Sequence, residues 1–228
     1  MEKRKIPNHL GIILDGNRRW AKERGFPILD GHKRGQKAVE NTIKYCADRG
    51  IKILTLFVFS TENWKRPEKE VKYLMKLLSS ALDGKNIQKF HKEGLRIKVI
   101  GGTEKFSDDL IKKITEAEEL TEDNKLMTVN MALSYGGRAE LTQAIKNIIK
   151  KKIPAEKITE DVISQNLWTS DVDLIIRTGK AQRISNFLIW QAAYSELYFS
   201  SKYWPDFNEK DLDEALTEYA SRQRTFGK

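Results

Sequence analysis

Six short apolar runs, separated by longer amphipathic stretches, constrain this chain more than any other feature. The runs are 10–14 (LGIIL), 53–59 (ILTLFVF), 96–100 (RIKVI), 127–133 (MTVNMAL), 172–176 (VDLII) and 197–199 (LYF). Most are nearly continuous, the pattern of strands buried on both faces. The stretches between them have helical spacing. Val39, Ile43 and Ala47 share one face over about 33–49, with Gly31-His32 at the opening and Gly50 as the stop. Val71, Leu74, Leu77, Leu78, Ala81 and Leu82 form the next stripe, Leu110, Ile114 and Ala117 another, and Leu141, Ile145 and Ile148 a fourth. A last helix is expected after Asn208, an N-cap, carrying Leu212, Ala215 and Leu216. Strand–helix alternation of this kind predicts an α/β fold. It would be a single domain over 1–228 with a mostly parallel six-stranded sheet, right-handed crossovers and flanking helices.

Composition narrows the function classes. Apolar residues make up 39% of the 228, enough for one large core, and no Pro-, Gly- or Ser-rich stretch reads as a linker. The single cysteine, Cys46, excludes an internal disulfide and a cysteine zinc cluster. The opening MEKRKIPNHLG has no apolar h-region, and no apolar run approaches the roughly 18–20 residues of a membrane span, so a cytoplasmic enzyme is expected. A net charge of +9 suits nucleic acid, an anionic membrane or a phosphorylated small molecule, but solvated lysines such as Lys150, Lys151 and Lys152 produce it equally well. There is no GxxxxGK[ST], no GxGxxG after a strand and no GxSxG elbow. His91 lies in a Lys-rich helix as a surface residue.

The distinctive residues fall where predicted strands end: DGNRRW (15–20), STENWKR (60–66), SYGGR (134–138) and RTGKAQRIS (177–185). Open α/β sheets build ligand sites at those carboxyl ends. Asp15 there suits magnesium, which takes one or two carboxylates plus phosphate oxygens. Gly16 lets a ligand approach the backbone, and Arg18 and Arg19 add positive charge; an ordinary Asp-Gly turn is the plain alternative. Gly31-His32 at a helix start would attract an anion. Arg177 and Arg183 offer forks to a diphosphate or pair with nearby carboxylates. Glu196, between AAY and LYF, is either salt-bridged or a metal ligand. The arginines cluster at strand ends rather than along one exposed helix, which argues for a phosphorylated substrate and against nucleic acid.

HLGIILDGNRRWAKERG, GHKRG, FSTENWKRP, SYGGRAEL and DLIIRTGKAQRISNFLIWQAAYSELYF, followed by WPDF, resemble the cis-prenyltransferase family over about residues 8–226. The resemblance implies a homodimer that extends an allylic diphosphate, farnesyl diphosphate, with isopentenyl diphosphate. The product would be a long-chain polyprenyl diphosphate of the undecaprenyl kind, a cell-wall lipid carrier delivered to the inner membrane surface. It implies Mg²⁺ held by Asp15 and Glu196, with Asp15 and Asn63 as catalytic residues. Gly16, Asn17, Arg18, Arg19, Trp20 and His32 would surround the allylic diphosphate. Ser60, Thr61, Glu62, Trp64 and Arg66 form the second motif, and Arg177, Arg183, Ile184 and Ser185 would bind isopentenyl diphosphate. The family assigns proton removal to Asn63; a neutral amide is a poor base, so Asn63 is expected to position the true acceptor. Relatives commonly carry arginine where Ile28 stands. A catalytically silent partner subunit is the rival reading, and the intact Asp15, Asn63, Arg177, Arg183 and Glu196 argue against it. The 71–82 stripe and the strand interiors would enclose the growing tail, with Met127 as its floor.

Overall fold

A computed structural model describes residues 5–223; the remaining ends of the expected 1–228 domain, 1–4 and 224–228, lie outside the described residues, as does the end of the family resemblance. The chain runs β1 (His9–Ile13), α1 (Asn17–Glu23), α2 (Ile28–Asp48), β2 (Ile53–Ser60), α3 (Glu68–Ala81), α4 (Gly84–Lys92) and β3 (Leu95–Ile100). It continues α5 (Asp108–Thr121), β4 (Met127–Tyr135), α6 (Gly137–Lys150), α7 (Glu160–Ser164), β5 (Leu174–Arg177), β6 (Glu196–Phe199) and α8 (Glu209–Ser221). The strands form one sheet in the order β3-β4-β2-β1-β5-β6, every pair parallel. This is the predicted α/β architecture.

Alternate residues of each strand feed two cores. Leu10, Ile12, Leu54, Leu56 and Val129 meet Ile43 of α2, Leu78 of α3, Leu110 of α5 and Leu212 of α8 on one face. Ile13, Ala132, Tyr135 and Ile175 meet Phe187 and Leu188 on the other. Burial on both sides is why the runs read as continuously apolar. Asn208 caps α8 as expected, its side chain accepting from the Lys210 amide at 3.0 Å.

The helices α1 and α7 were not anticipated, and two of the expected helices depart from expectation. α2 starts at Ile28, directly after Pro27, so Gly31 and His32 lie inside its first turns rather than at a free N-terminus. Gly31 serves packing instead: a Cβ there would stand 2.2 Å from the Asn17 carbonyl oxygen, and one at Gly35 2.3 Å from Asn17 Oδ1. The two glycines, one turn apart, let α1 lie directly on α2. In α6 the buried stripe is Gly137, Glu140, Ala144 and Ile148, whereas Ile145 is 54% exposed. The helical period is as predicted, but the face is rotated because Glu140 is buried. Its carboxyl accepts from the Trp168 amide at 2.8 Å, from Gln191 Nε2 at 3.0 Å and from the Tyr135 hydroxyl.

The topology explains where the motifs meet. β1 lies between β2 and β5, so the segments leaving these three strands emerge side by side. That is the switch point of an open α/β sheet. Beside it the β2–β4 register shifts between Phe57 and Phe59 and again between Phe59 and Ser60, irregularities that re-aim side chains at the rim.

Candidate active site

A cavity of about 1000 Å³ opens at this carboxyl edge. Its charged lining is Arg18, Arg19, Lys22, Arg66, Arg177 and Arg183 against two carboxylates, Asp15 and Glu62. Farther in, Ile13, Leu14, Phe57, Val58 and Leu74 make the wall apolar. The site therefore pairs a cationic rim with a greasy interior, complementary to an amphiphile with an anionic head.

Asp15 sits just past β1, where Gly16 turns the chain with φ 113°. A Cβ on Gly16 would also stand 2.6 Å from the Tyr203 ring, so both conformation and space require glycine. The Asp15 carboxylate is held by Arg177 Nη2 at 2.8 Å and by Arg19 Nη2 at 3.0 Å. Arg177 is only 5% exposed, and its other terminal nitrogen, Nη1, donates to the Arg183 carbonyl at 2.5 Å and to Ser185 Oγ at 2.7 Å. It ties Asp15 to the turn that carries Arg183 and Ser185. Arg183 itself is exposed and lines the cavity.

The second motif forms a 3₁₀ turn over Thr61–Lys65. Ser60 and Asn63 cap it reciprocally, Asn63 Oδ1 accepting from the Ser60 amide at 3.2 Å. The acceptor end of Asn63 is thereby used, and Nδ2 is the end left to donate to a ligand. Burial pushes the Glu62 carboxyl up, but hydrogen bonds from its own backbone, Ser60, Asn186 and Thr61 outweigh it and hold the group below the usual value. Arg66, at the end of the motif, reaches Glu70 Oε1 at 3.1 Å.

Thirteen of the eighteen residues singled out in the sequence line this cavity: Asp15, Gly16, Asn17, Arg18, Arg19 and His32, with Ser60, Glu62, Asn63, Arg66, Arg177, Arg183 and Ser185. Five do not. Trp20 turns away, stacking on Phe26 and donating Nε1–H to Asp206 at 2.7 Å. Trp64 packs between Phe59 and Phe106 and donates to Ser134 Oγ at 2.9 Å, bracing the motif from behind. Thr61 abuts Gly136, and Ile184 packs against the second core. Glu196 opens β6, in register with Leu174 and through it with Leu10, so it lies three residues, roughly 10 Å, below the end of β1. There it pairs with Arg222 Nη1 at 2.6 Å. Within the chain it shares no metal with Asp15: parallel strands put the start of β6 at the opposite edge of the sheet.

Lys22, Phe26 and Asn186 line the cavity without having been expected to, and Ile28, already singled out ahead of His32, lines it as well. The residue most clearly missed is Glu70, 6% exposed, whose carboxyl meets Arg66, His32 and Arg18. Its only sequence signal is the four-residue helical spacing from Arg66. No group of three or more His, Cys, Asp or Glu among the described residues forms a ready-made metal cage. One carboxylate at an arginine-rich rim nonetheless fits magnesium, which keeps waters and takes phosphate oxygens from its substrate.

Comparison with known proteins agrees with this geometry. Residues 13–227 match the family model described as "Putative undecaprenyl diphosphate synthase". An isoprenyl transferase of Neisseria meningitidis serogroup A is 46% identical, covering 100% of this chain and 92% of its own. The farnesyl-diphosphate-specific ditrans,polycis-undecaprenyl-diphosphate synthase of Vibrio vulnificus YJ016 is 48% identical, covering 97% and 91%. Lavandulyl diphosphate synthase from Lavandula x intermedia, solved with dimethylallyl diphosphate, superposes with a TM-score of 0.93 at 34% identity, covering 98% and 99%. The chain is a prenyltransferase, a member of the undecaprenyl diphosphate synthase family.

Proposed function

We propose that this enzyme condenses farnesyl diphosphate with successive isopentenyl diphosphates, each new double bond cis, to give undecaprenyl diphosphate. The observation that carries the reading is the division of one cavity into an arginine-rich rim and an apolar interior. The allylic carbon–oxygen bond breaks, and its electron pair leaves with the diphosphate. The isopentenyl double bond attacks that carbon, and a proton is lost. Arg18, Arg19, Arg66 and His32 hold the allylic head, and they stabilise the negative charge that grows on it as the bond breaks. Arg183 and Ser185 hold the isopentenyl diphosphate, on a turn fixed by Arg177. Asn63 Nδ2 donates to a water or a diphosphate oxygen that takes the proton. Asp15 is the residue that would hold Mg²⁺, which when bound neutralises charge on the leaving diphosphate.

Two copies pair, in this reading, through α6, whose Ile145 and Ile149 lie one turn apart at 54% and 69% exposure. No helix among the described residues is long and apolar enough to cross a membrane. We place the enzyme in the cytoplasm, handing its product to the inner membrane surface. The test is incubation with farnesyl diphosphate, labelled isopentenyl diphosphate and Mg²⁺, then chromatography of the dephosphorylated products. A ladder of polyprenols that disappears in Asp15→Ala is expected; no elongation by the wild-type protein would overturn the reading.

A further inference from the structure

Arg18, His32 and Arg66 come from three separated segments, yet all three reach one buried carboxyl group. Glu70, in the first turn of α3, stands 3.8 Å from Arg18 Nε, 3.2 Å from His32 Nε2 and 3.1 Å from Arg66 Nη1. We propose that Glu70 is the positioning residue that joins these groups into one anion-binding unit, and that the unit takes up a diphosphate together with one proton, which His32 carries. The inference rests on the diphosphate reading of the cavity given above.

The proton follows from valence. A carboxylate only accepts hydrogen bonds, so the Nε2 that faces Glu70 carries the hydrogen. In the neutral ring Nδ1 then holds a lone pair and cannot donate to an anion. His32 lines the cavity with one nitrogen already committed to Glu70, so it serves a diphosphate only by adding a proton from solvent to Nδ1. In the free protein burial lowers its proton affinity; the Glu70 hydrogen bond and charge oppose this, and Arg66 and Arg18 add to the lowering. These are the charged groups facing the ring from α3, the segment before it and α1. The resting ring is therefore neutral at neutral pH, which limits repulsion among three basic groups packed together. An arriving diphosphate reverses the balance by adding negative charge beside the ring.

The sign is fixed: the complex holds one more proton than the free protein. Affinity for diphosphate should fall by up to about tenfold per pH unit as pH rises through the window between the free and bound His32 values. A glutamate that merely packed α3 would produce no such linkage.

The chain has three histidines, so ring resonances in ¹³C-histidine-labelled protein can be followed individually, His32 being assigned by its loss in His32→Gln. The pH titration is run with and without saturating inorganic diphosphate. Expected is an upward move of the His32 transition by about one pH unit or more, with His9 and His91 unmoved. In Glu70→Gln the move should shrink severalfold. A His32 transition that stays put while diphosphate saturates the protein overturns the proton-linked unit and leaves the diphosphate site standing. An equal shift in Glu70→Gln removes Glu70 from the role. If inorganic diphosphate does not bind at all, both this inference and the reading beneath it fall. The wild-type arm decides even if Glu70→Gln does not fold.

Discussion

Arg183 reaches the cavity from an exposed turn, whereas Arg177, six residues earlier, points its guanidinium inward and spends it on Asp15, a carbonyl and a hydroxyl. The two motif arginines should therefore fail differently. Removing Arg183 takes away a charge-assisted contact to one substrate, worth about 1.5–3 kcal/mol, or roughly 10–150-fold. Arg183→Ala should raise the KM for isopentenyl diphosphate by that factor and leave the melting temperature near wild type. Lysine should restore little, because it offers a point charge in place of a planar fork. Arg177→Ala instead frees the turn that carries Ser185 and strips Asp15 of its shorter ion pair. It should lower kcat with either substrate saturating and lower the melting temperature as well. Steady-state kinetics beside thermal melts on the two variants separate these outcomes; matching profiles would mean that Arg177 contacts substrate as Arg183 does.

At the scale of elements, the α1–α2 contact depends on a missing side chain. Gly31→Ala drives a methyl into the Asn17 carbonyl oxygen, so the helices must part and carry Arg18 and His32 with them. A loss of about 1–3 kcal/mol is expected from overpacking, with a raised KM for the allylic diphosphate. Gly84→Ala is the control: nothing lies within 4 Å of its Cβ, and it sits at the first position of α4. That change should be neutral or slightly stabilising in urea unfolding. A second element-level test concerns the sheet. His9 Nε2 meets Thr55 Oγ1 at 2.7 Å, and Asn130 Nδ2 donates to the same hydroxyl at 3.0 Å, linking β1, β2 and β4. Burial lowers the His9 pKa from 6.5, outweighing the backbone contact at Asp171 and the charge of Asp173. The unfolded chain then binds more protons than the folded one below pH 6.5. This part of the stability is fully present above that value and is lost progressively as pH falls from it through the lower folded value. Urea midpoints for wild type should drop between pH 7 and 5 more steeply than those of His9→Gln; parallel curves would exclude His9. The strands were legible in the sequence to within about two residues because burial on both faces leaves a continuous apolar signature. Helix faces were less so. Glu140 reads as a surface residue until Tyr135, Trp168 and Gln191 are seen around it, and this rotates α6. Motifs name residues but not directions, which is how Trp20, Trp64 and Glu196 entered the expected site while Glu70 stayed out of it.

In the whole molecule a second cavity, about 60 Å³, lies farther toward the other edge of the sheet. Val58 of β2 and Leu74 of α3 line the larger cavity, while Leu56 and Ala81, earlier on the strand and later on the helix, line the smaller. On α2 the lining likewise steps from His32 to Val39 and Ile43. In the proposed reading a tail entering at the cationic rim descends between α2, α3 and the sheet. On β4 the smaller cavity is lined by Met131 and Val129. Met127, 1% exposed, follows two residues lower on the same face, paired with Leu95 and lining neither cavity. In the proposed reading it lies beyond the end of the path rather than along its side. Met127→Ala should cost about 2–5 kcal/mol if the space stays empty. It should also let the chain grow further, giving products longer than wild type. Val129→Phe works in the opposite sense, filling the small cavity and ending elongation early. Chromatography of dephosphorylated products, with detergent present to aid release, reads both variants. Because the two changes act on one path from opposite directions, their effects on length must have opposite signs. Unchanged product lengths in folded, active variants would show that chain growth is limited elsewhere and that Met127 is core packing alone.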